Sequence, residues 1–307
     1  MKTAFLFPGQ GAQVVGMGKD IAEHCPAAAD LFEKANEIVG YDLRHLCFEG
    51  PEEALNTTTV SQPAIFTVTA ALLELLRQTH PELWPDVTAG LSMGEYSALY
   101  AAGLMSFEDA LKLVQERGRA MQAAADASNG SMVSILGLDE EKVRALCRQA
   151  AQGDILEPVN FNCPGQIVIS GSAQACKRAE ALAEKYGAMK AVPLAVAGAF
   201  HTSMMQPAAD RLQQALAVCP IQSPTAPKVI ANINAEYYTN AKGIREGLVR
   251  QLVQPILWQK CMERLLADGV EAFYEIGPGR VLTGLMKRIS RRTKVVNVST
   301  WESLQQL

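Results

Sequence analysis

Short, wholly apolar runs alternate along this chain with longer stretches whose apolar residues recur at helical spacing, the rhythm of strands buried between layers of helix. Residues 3–7 form the first such run, closed by Pro8-Gly9-Gln10-Gly11. From residue 21 to 77 the pattern is helical, with loops at Cys25-Pro26, Gly40-Tyr41-Asp42 and Gly50-Pro51. Pro51 followed by Glu52 and Glu53 marks a helix start, because proline lacks only a donor that the first turn leaves unused and acids favour the positive end. Residues 57–62 are polar, and 63–76 predict a long apolar helix lying against the sheet. Pro85 then breaks the chain before a short apolar strand that runs into Gly90, and 95–103 and 107–125 predict two further helices.

The pattern changes at 126–131, a polar stretch that reads as a domain joint. Beyond it come a strand at 132–138, a helix at 139–151, strands at 156–162 and 166–172 across Cys163-Pro164-Gly165, a helix at 173–186 and a strand at 189–196. That β-α-β-β-α-β order is the split βαβ of a small ferredoxin-like unit. After Gly198 the α/β pattern resumes, with strands at 228–233, 272–276 and 294–298 and helices at 243–253, 258–267 and 281–289. The expected organisation is one large α/β domain made of 1–126 and 198–307, interrupted by a ferredoxin-like subdomain over 127–197.

Composition narrows the function classes. Of 307 residues, 49% are apolar and 20% charged, ordinary for a globular enzyme, and a net charge of −4 gives no general attraction to nucleic acid. Seven cysteines, an odd number with no Cys-x-x-Cys, argue against a disulfide framework or a zinc site and for a reducing compartment. The apolar start is too short for a signal peptide before Pro8-Gly9, and no apolar run is expected to reach membrane-spanning length. A cytoplasmic protein with no membrane partner is expected.

The candidate chemistry centres on Gly90-Leu91-Ser92-Met93-Gly94, the Gly-x-Ser-x-Gly spacing of a nucleophile elbow, set between a strand and a helix. Glycines on both sides of the serine permit a turn tight enough to expose its oxygen. The glycine turn after the first strand fits neither nucleotide fingerprint, since Val14 stands where a glycine or alanine is needed and Gly18-Lys19-Asp20 is not a phosphate loop. Its backbone N–H groups suit an oxyanion instead. The serine needs a base, and there are four histidines. His24, His45 and His80 read as loop or surface residues, whereas His201 follows a strand within Gly198-Ala199-Phe200-His201, where small residues allow close approach to another element. Arg117 and Arg119 lie on a helix, where arginines usually end in solvent. The insert between Ser92 and His201, with about a hundred residues following, departs from an ordinary esterase.

With these features in place, the chain resembles the malonyl-CoA:acyl carrier protein transacylases and the related acyltransferase domains of polyketide synthases. The likeness spans nearly the whole length and rests on Phe7-Pro8-Gly9-Gln10-Gly11-Ala12-Gln13, Gly90-Leu91-Ser92-Met93-Gly94-Glu95-Tyr96, Arg117-Gly118-Arg119-Ala120-Met121, Gly198-Ala199-Phe200-His201, Arg250-Gln251-Leu252 and Glu275-Ile276-Gly277-Pro278-Gly279. The resemblance implies an α/β-hydrolase-like large domain with a mainly parallel sheet. It implies Ser92 as nucleophile and His201 as base, the imidazole oriented by a main-chain carbonyl near Gln251 in place of an acid. It assigns the oxyanion hole to the N–H groups of Gln10 and Met93 and the malonyl carboxylate to Arg117. Gln251 would position the arginine or the acyl group, and Phe200 would crowd out a methylmalonyl group. Many relatives carry histidine where this chain has Leu91. Malonyl-CoA is the implied donor and acyl carrier protein the implied partner, with no metal and no cofactor, and a monomer is expected. Lys287, Arg288, Arg291, Arg292 and Lys294, which cluster near the C-terminus, and Lys185 and Lys190 are candidates for receiving an acidic carrier. Two other classes remain: a serine thioesterase or esterase, and a non-catalytic carrier-docking protein.

Overall fold

Nine strands organise the computed structural model, which describes residues 1–307: β1 (Lys2–Phe7), β2 (Val87–Gly90), β3 (Gly130–Leu136), β4 (Leu156–Cys163), β5 (Gln166–Ser172), β6 (Lys190–Pro193), β7 (Lys228–Val229), β8 (Val270–Ile276) and β9 (Val295–Val298). Five of them make one sheet in the order β7-β2-β1-β8-β9, with every pair parallel. A parallel sheet needs helices on both faces, which is why Ala4 to Phe7 is an unbroken apolar run with almost no exposed surface. Strand order reverses at β1, and ligands of open α/β sheets sit outside the carboxyl ends of the strands at such a reversal. Phe7 pairs with Gly90, so the turns leaving β1 and β2 emerge side by side at that edge.

The second sheet, β4-β5-β3-β6, is antiparallel and has the strand order of a split βαβ unit. Helices Glu140–Ala151 and Ala173–Ala183 pack on it over a separate core containing Val133, Ile135, Ile169 and Ala179. Both sheets and their order agree with the mixed α/β architecture read from the pattern.

Several elements differ from the expectation. The apolar helix begins at Thr58 and runs to Thr79, absorbing the polar stretch as its first turns. Pro63 lies inside it and cannot donate to the carbonyl of Thr59, which accepts from the Tyr41 hydroxyl at 3.3 Å instead. This helix corrects the expectation of no membrane-length segment: its 22 residues are long and apolar enough to span a bilayer, but the sequence run is broken by threonine, serine and glutamine and the helix lies in the protein core. The strand expected at 228–233 is only Lys228–Val229, because the chain turns at Ala231 to Ala235 and sends Asn232 towards the elbow. The strand expected at 189–196 stops at Pro193, and Leu194 to Val196 line a cleft. A helix with Pro207 in its first turn, Gln206–Val218, forms where no element was expected.

Candidate active site

The turn after β2 holds Ser92 at φ 52°, the left-handed region that a residue with a Cβ adopts only under constraint. The constraint is visible on both flanks. A Cβ on Gly90 would lie 1.9 Å from the Gly94 carbonyl, and one on Gly94 would lie 2.2 Å from the Phe7 oxygen. Only glycines let β1, β2 and the Gly94–Ala101 helix converge this closely. Asn232 braces the turn, its Oδ1 accepting the Ser92 N–H at 2.7 Å and its Nδ2 donating to the Gly90 carbonyl at 2.8 Å.

His201 reaches the serine from a second tight turn, also left-handed at φ 62°. Small residues permit the approach, since a Cβ on Gly130 would strike the Ala199 nitrogen at 2.5 Å and one on Gly198 the Ala125 side chain. The Ser92 Oγ and His201 Nε2 are 3.0 Å apart, and Nδ1 lies 2.7 Å from the Gln251 carbonyl oxygen. That carbonyl can only accept, which assigns the proton to Nδ1 and leaves Nε2 as an acceptor facing the serine hydroxyl. Burial, and then the neighbouring Arg117 charge, pull the imidazole down from 6.5 to about 3, against the opposing effect of the Gln251 hydrogen bond. The ring is therefore neutral at physiological pH and able to take a proton.

Arg117 is not in solvent, as helix arginines usually are: it is 1% exposed, while Arg119 two residues on is exposed. Gly118 makes this possible, because a Cβ there would press on the Thr58 carbonyl at 2.9 Å and hold apart the two helices that meet at the arginine. Arg117 Nη1 donates to Gln62 Oε1 at 2.6 Å, and Nη2 donates to Gln251 Oε1 at 3.0 Å and to the Ser92 Oγ at 2.9 Å. The guanidinium also lies over the Tyr96 ring, 5.7 Å from its centroid. Burial lowers its pKa from the usual value, and the Tyr96 and Glu95 side chains oppose that shift.

Gln251, fully buried at the end of the Ala241–Gln251 helix, ties these groups together. Besides holding His201 and Arg117, its Nε2 donates to the Ser92 carbonyl at 3.1 Å and to Glu95 Oε2 at 2.8 Å. Glu95 also accepts from the Asn232 N–H at 3.1 Å and from the Tyr238 hydroxyl. Burial raises the Glu95 pKa, and these donors together with Arg117 counter it.

The Gln10 and Met93 amides have no intramolecular acceptor; Met93 follows the serine directly, and Gln10 lines the same cleft as Ser92. Gly9 brings the two turns together, since a Cβ there would meet the Leu91 oxygen at 2.4 Å. All of this opens into a cleft of about 440 Å³ lying between the two sheets. Phe200, Leu91, Met121 and Met132 wall its apolar part, and Asn160, Asn162 and Gln166 of the small subdomain supply polar groups. The structure thus brings Ser92, His201, Gln10, Met93, Arg117, Gln251 and Phe200 to one place. His24, His45 and His80 lie elsewhere, His24 at the end of a helix with its ring stacked on Trp301. Sequence reasoning assigned no role to Gln62, Glu95, Asn232 or Tyr238. Glu95 carried one local signal, an acid inside the elbow's helix; the other three carried none.

Comparison with known proteins covers the same ground. The sequence profile of the acyl transferase domain family matches residues 4–304. The chain is 44% identical over 305 residues to the malonyl CoA-acyl carrier protein transacylase of Bacillus subtilis, spanning 99% of this chain and 95% of that protein. The solved malonyl CoA-acyl carrier protein transacylase of Coxiella burnetii superposes with a TM-score of 0.96 at 38% identity, over 100% of this chain and 96% of that one. A malonyl-transacylase solved in complex with its type II PKS acyl-carrier protein does so with a TM-score of 0.96 at 41% identity, over 100% and 98%. Since the likeness runs through both sheets and every segment that lines the cleft, the chain belongs to the acyl transferase domain family.

Proposed function

We propose that the protein moves a malonyl group from malonyl-CoA to the phosphopantetheine thiol of an acyl carrier protein through an ester on Ser92. The observation that carries this reading is a buried guanidinium 2.9 Å from the same serine oxygen that an imidazole nitrogen faces at 3.0 Å. A nucleophile beside a fixed cation suits an acyl group that ends in a carboxylate.

In the first half-reaction His201 Nε2 takes the hydroxyl proton as the Ser92 Oγ attacks the thioester carbon. The oxyanion faces the Gln10 and Met93 N–H groups, where one lost donor typically costs about 10²–10³ in rate. Collapse breaks the carbon–sulfur bond, and His201 returns the proton to the departing CoA sulfur. The carrier's thiol then attacks the malonyl ester with His201 again as base, and the Ser92 oxygen leaves with the proton. No step draws on a metal or redox group, and one chain supplies every group, so a monomer suffices. Unpaired, buried thiols fit a cytoplasmic setting.

Donor choice follows from the cavity. Acetyl-CoA leaves Arg117 without its anion, and breaking a buried charged pair costs about 2–5 kcal/mol. Phe200 crowds the acyl site, and a pocket of this kind rejects an extra methyl by roughly 1–3 kcal/mol. The Val281–Ile289 helix borders the cleft through Val281 and Leu285, with Lys287, Arg291, Arg292 and Lys294 exposed beside it, an edge suited to an acidic carrier. Arg288 is instead committed to the small subdomain, donating to Gln166 Oε1 at 3.1 Å and towards the Pro164 carbonyl at 3.3 Å.

Intact-mass measurement after incubation with malonyl-CoA tests the reading. A malonyl adduct that carrier protein discharges, absent from Ser92→Ala, is expected. Release of free malonate with no transfer to a thiol would make the protein a hydrolase and overturn the proposal.

A further inference from the structure

We infer that Gln62 is a specificity-determining residue: its neutral amide holds Arg117 in place while keeping the guanidinium charge available to an acidic acyl group. This inference rests on the malonyl-transfer reading above and concerns how its selectivity is built.

Every group that accepts a hydrogen bond from Arg117 is formally neutral. Gln62 Oε1 takes Nη1 at 2.6 Å, Gln251 Oε1 takes Nη2 at 3.0 Å, and the Ser92 hydroxyl shares Nη2 at 2.9 Å. No carboxylate oxygen lies within 4.0 Å of the guanidinium. Glu95, which is buried nearby, favours the arginine's charge through space but makes no ion pair with it, its oxygens accepting from Tyr238, Gln251 and Asn232. Arg117 Nε has no acceptor at all. Amide dipoles satisfy individual N–H groups but do not cancel a net charge, and in a buried site that residual charge acts strongly on an incoming anion.

Of the two glutamines, Gln62 is the one whose side chain serves Arg117 without also holding the serine. Gln251 additionally supports the Ser92 carbonyl and His201, so altering it disturbs the nucleophile and its base. Gln62 has no exposed surface, and its Nε2 faces the Met121 sulfur at 3.6 Å. It stands just before Pro63, in the segment of helix where Tyr41 caps the Thr59 carbonyl, so its backbone is fixed. A glutamate at this position has nearly the same volume and geometry as glutamine. It would accept from the same Nη1 with a full negative charge and pair the arginine internally, and a second carboxylate would then meet repulsion rather than an unpaired cation.

The test compares kcat/KM for acylation of the full-length enzyme by malonyl-CoA and by acetyl-CoA in wild type, Gln62→Glu and Gln62→Met, with thermal unfolding as the check on folding. For Gln62→Glu, malonyl transfer is expected to fall at least about 100-fold and acetyl transfer far less, so the malonyl-to-acetyl ratio collapses. Gln62→Met removes the clamp without adding charge, so both rates are expected to fall together and the ratio to stay within about tenfold of wild type. An unchanged ratio in Gln62→Glu overturns the inference. If Gln62→Glu does not fold, Gln62→Met decides alone, since a collapsed ratio there means that position rather than neutrality matters. Wild type that forms no malonyl adduct would overturn the malonyl-transfer reading itself, a result separate from either variant's.

Discussion

Ser92 and His201 both hold left-handed backbone conformations, at φ 52° and 62°, each costing about 1–3 kcal/mol for a residue with a side chain. Neither conformation persists unaided. Asn232 fixes the serine, and the Thr202 hydroxyl, donating to the Ala199 carbonyl at 2.8 Å, closes the histidine turn. The imidazole's environment has a consequence for pH. In the unfolded chain the group titrates near 6.5 and in the folded protein at about 3, so between those values the unfolded state binds more protons. The stability linked to His201 is therefore fully present above pH 6.5 and is lost as pH falls towards 3. Chemical denaturation between pH 6.5 and 5 should show wild type losing stability more steeply than His201→Gln, in a range where most carboxylates are still ionised. For the same reason the acid limb of kcat/KM is expected well below 6.5, and a limb at the ordinary histidine value would mean that water reaches the ring.

At the scale of elements, the elbow depends on three backbone segments meeting with no room for side chains. Gly90→Ala places a methyl 1.9 Å from the Gly94 carbonyl, and both partners are backbone, so the turn itself must open. Displacing a nucleophile by about 1 Å costs roughly 100-fold, and acylation by malonyl-CoA should fall at least that far while circular dichroism still reports a folded α/β protein. Normal acylation in this variant would mean that the turn has slack the packing does not show. The Thr58–Thr79 helix makes a related point about legibility. Its opening turns read only as a polar stretch ahead of the helix, because buried polar residues cannot be told from exposed ones by hydropathy. Thr58, Ser61 and Gln62 are all buried there, and Gln62 is polar because Arg117 is its partner. The Glu275-Ile276-Gly277-Pro278-Gly279 segment is similarly structural, with Glu275 accepting from the Leu282 and Thr283 N–H groups at 2.8 Å each and so capping the following helix.

At the scale of the whole molecule, two sheets with separate cores face one cleft. Ile135 is fully buried in the core of the smaller one. Ile135→Ala should cost about 2–5 kcal/mol locally. Hydrogen exchange is expected to quicken across Gly130 to Pro193 while β1 and β2 keep their protection; equal loss in both would show that the sheets unfold as one unit. The sequence by itself determined the apolar runs that become parallel strands, the split βαβ rhythm between them, and the glycine-flanked serine, because each is a matter of spacing within a few residues. The resemblance already implied a carbonyl near Gln251 behind His201, but only the tertiary structure decided that Arg117 is buried, that Gln62 clamps it, and that Glu95 and Asn232 join Gln251 in bracing the elbow. Those residues lie 25 to 159 positions from their partners, and neither periodicity nor local propensity carries information across such distances. What joins them is the reversal of strand order at β1, which delivers separate turns to one edge of the sheet, where burial leaves each polar group no partner but the others.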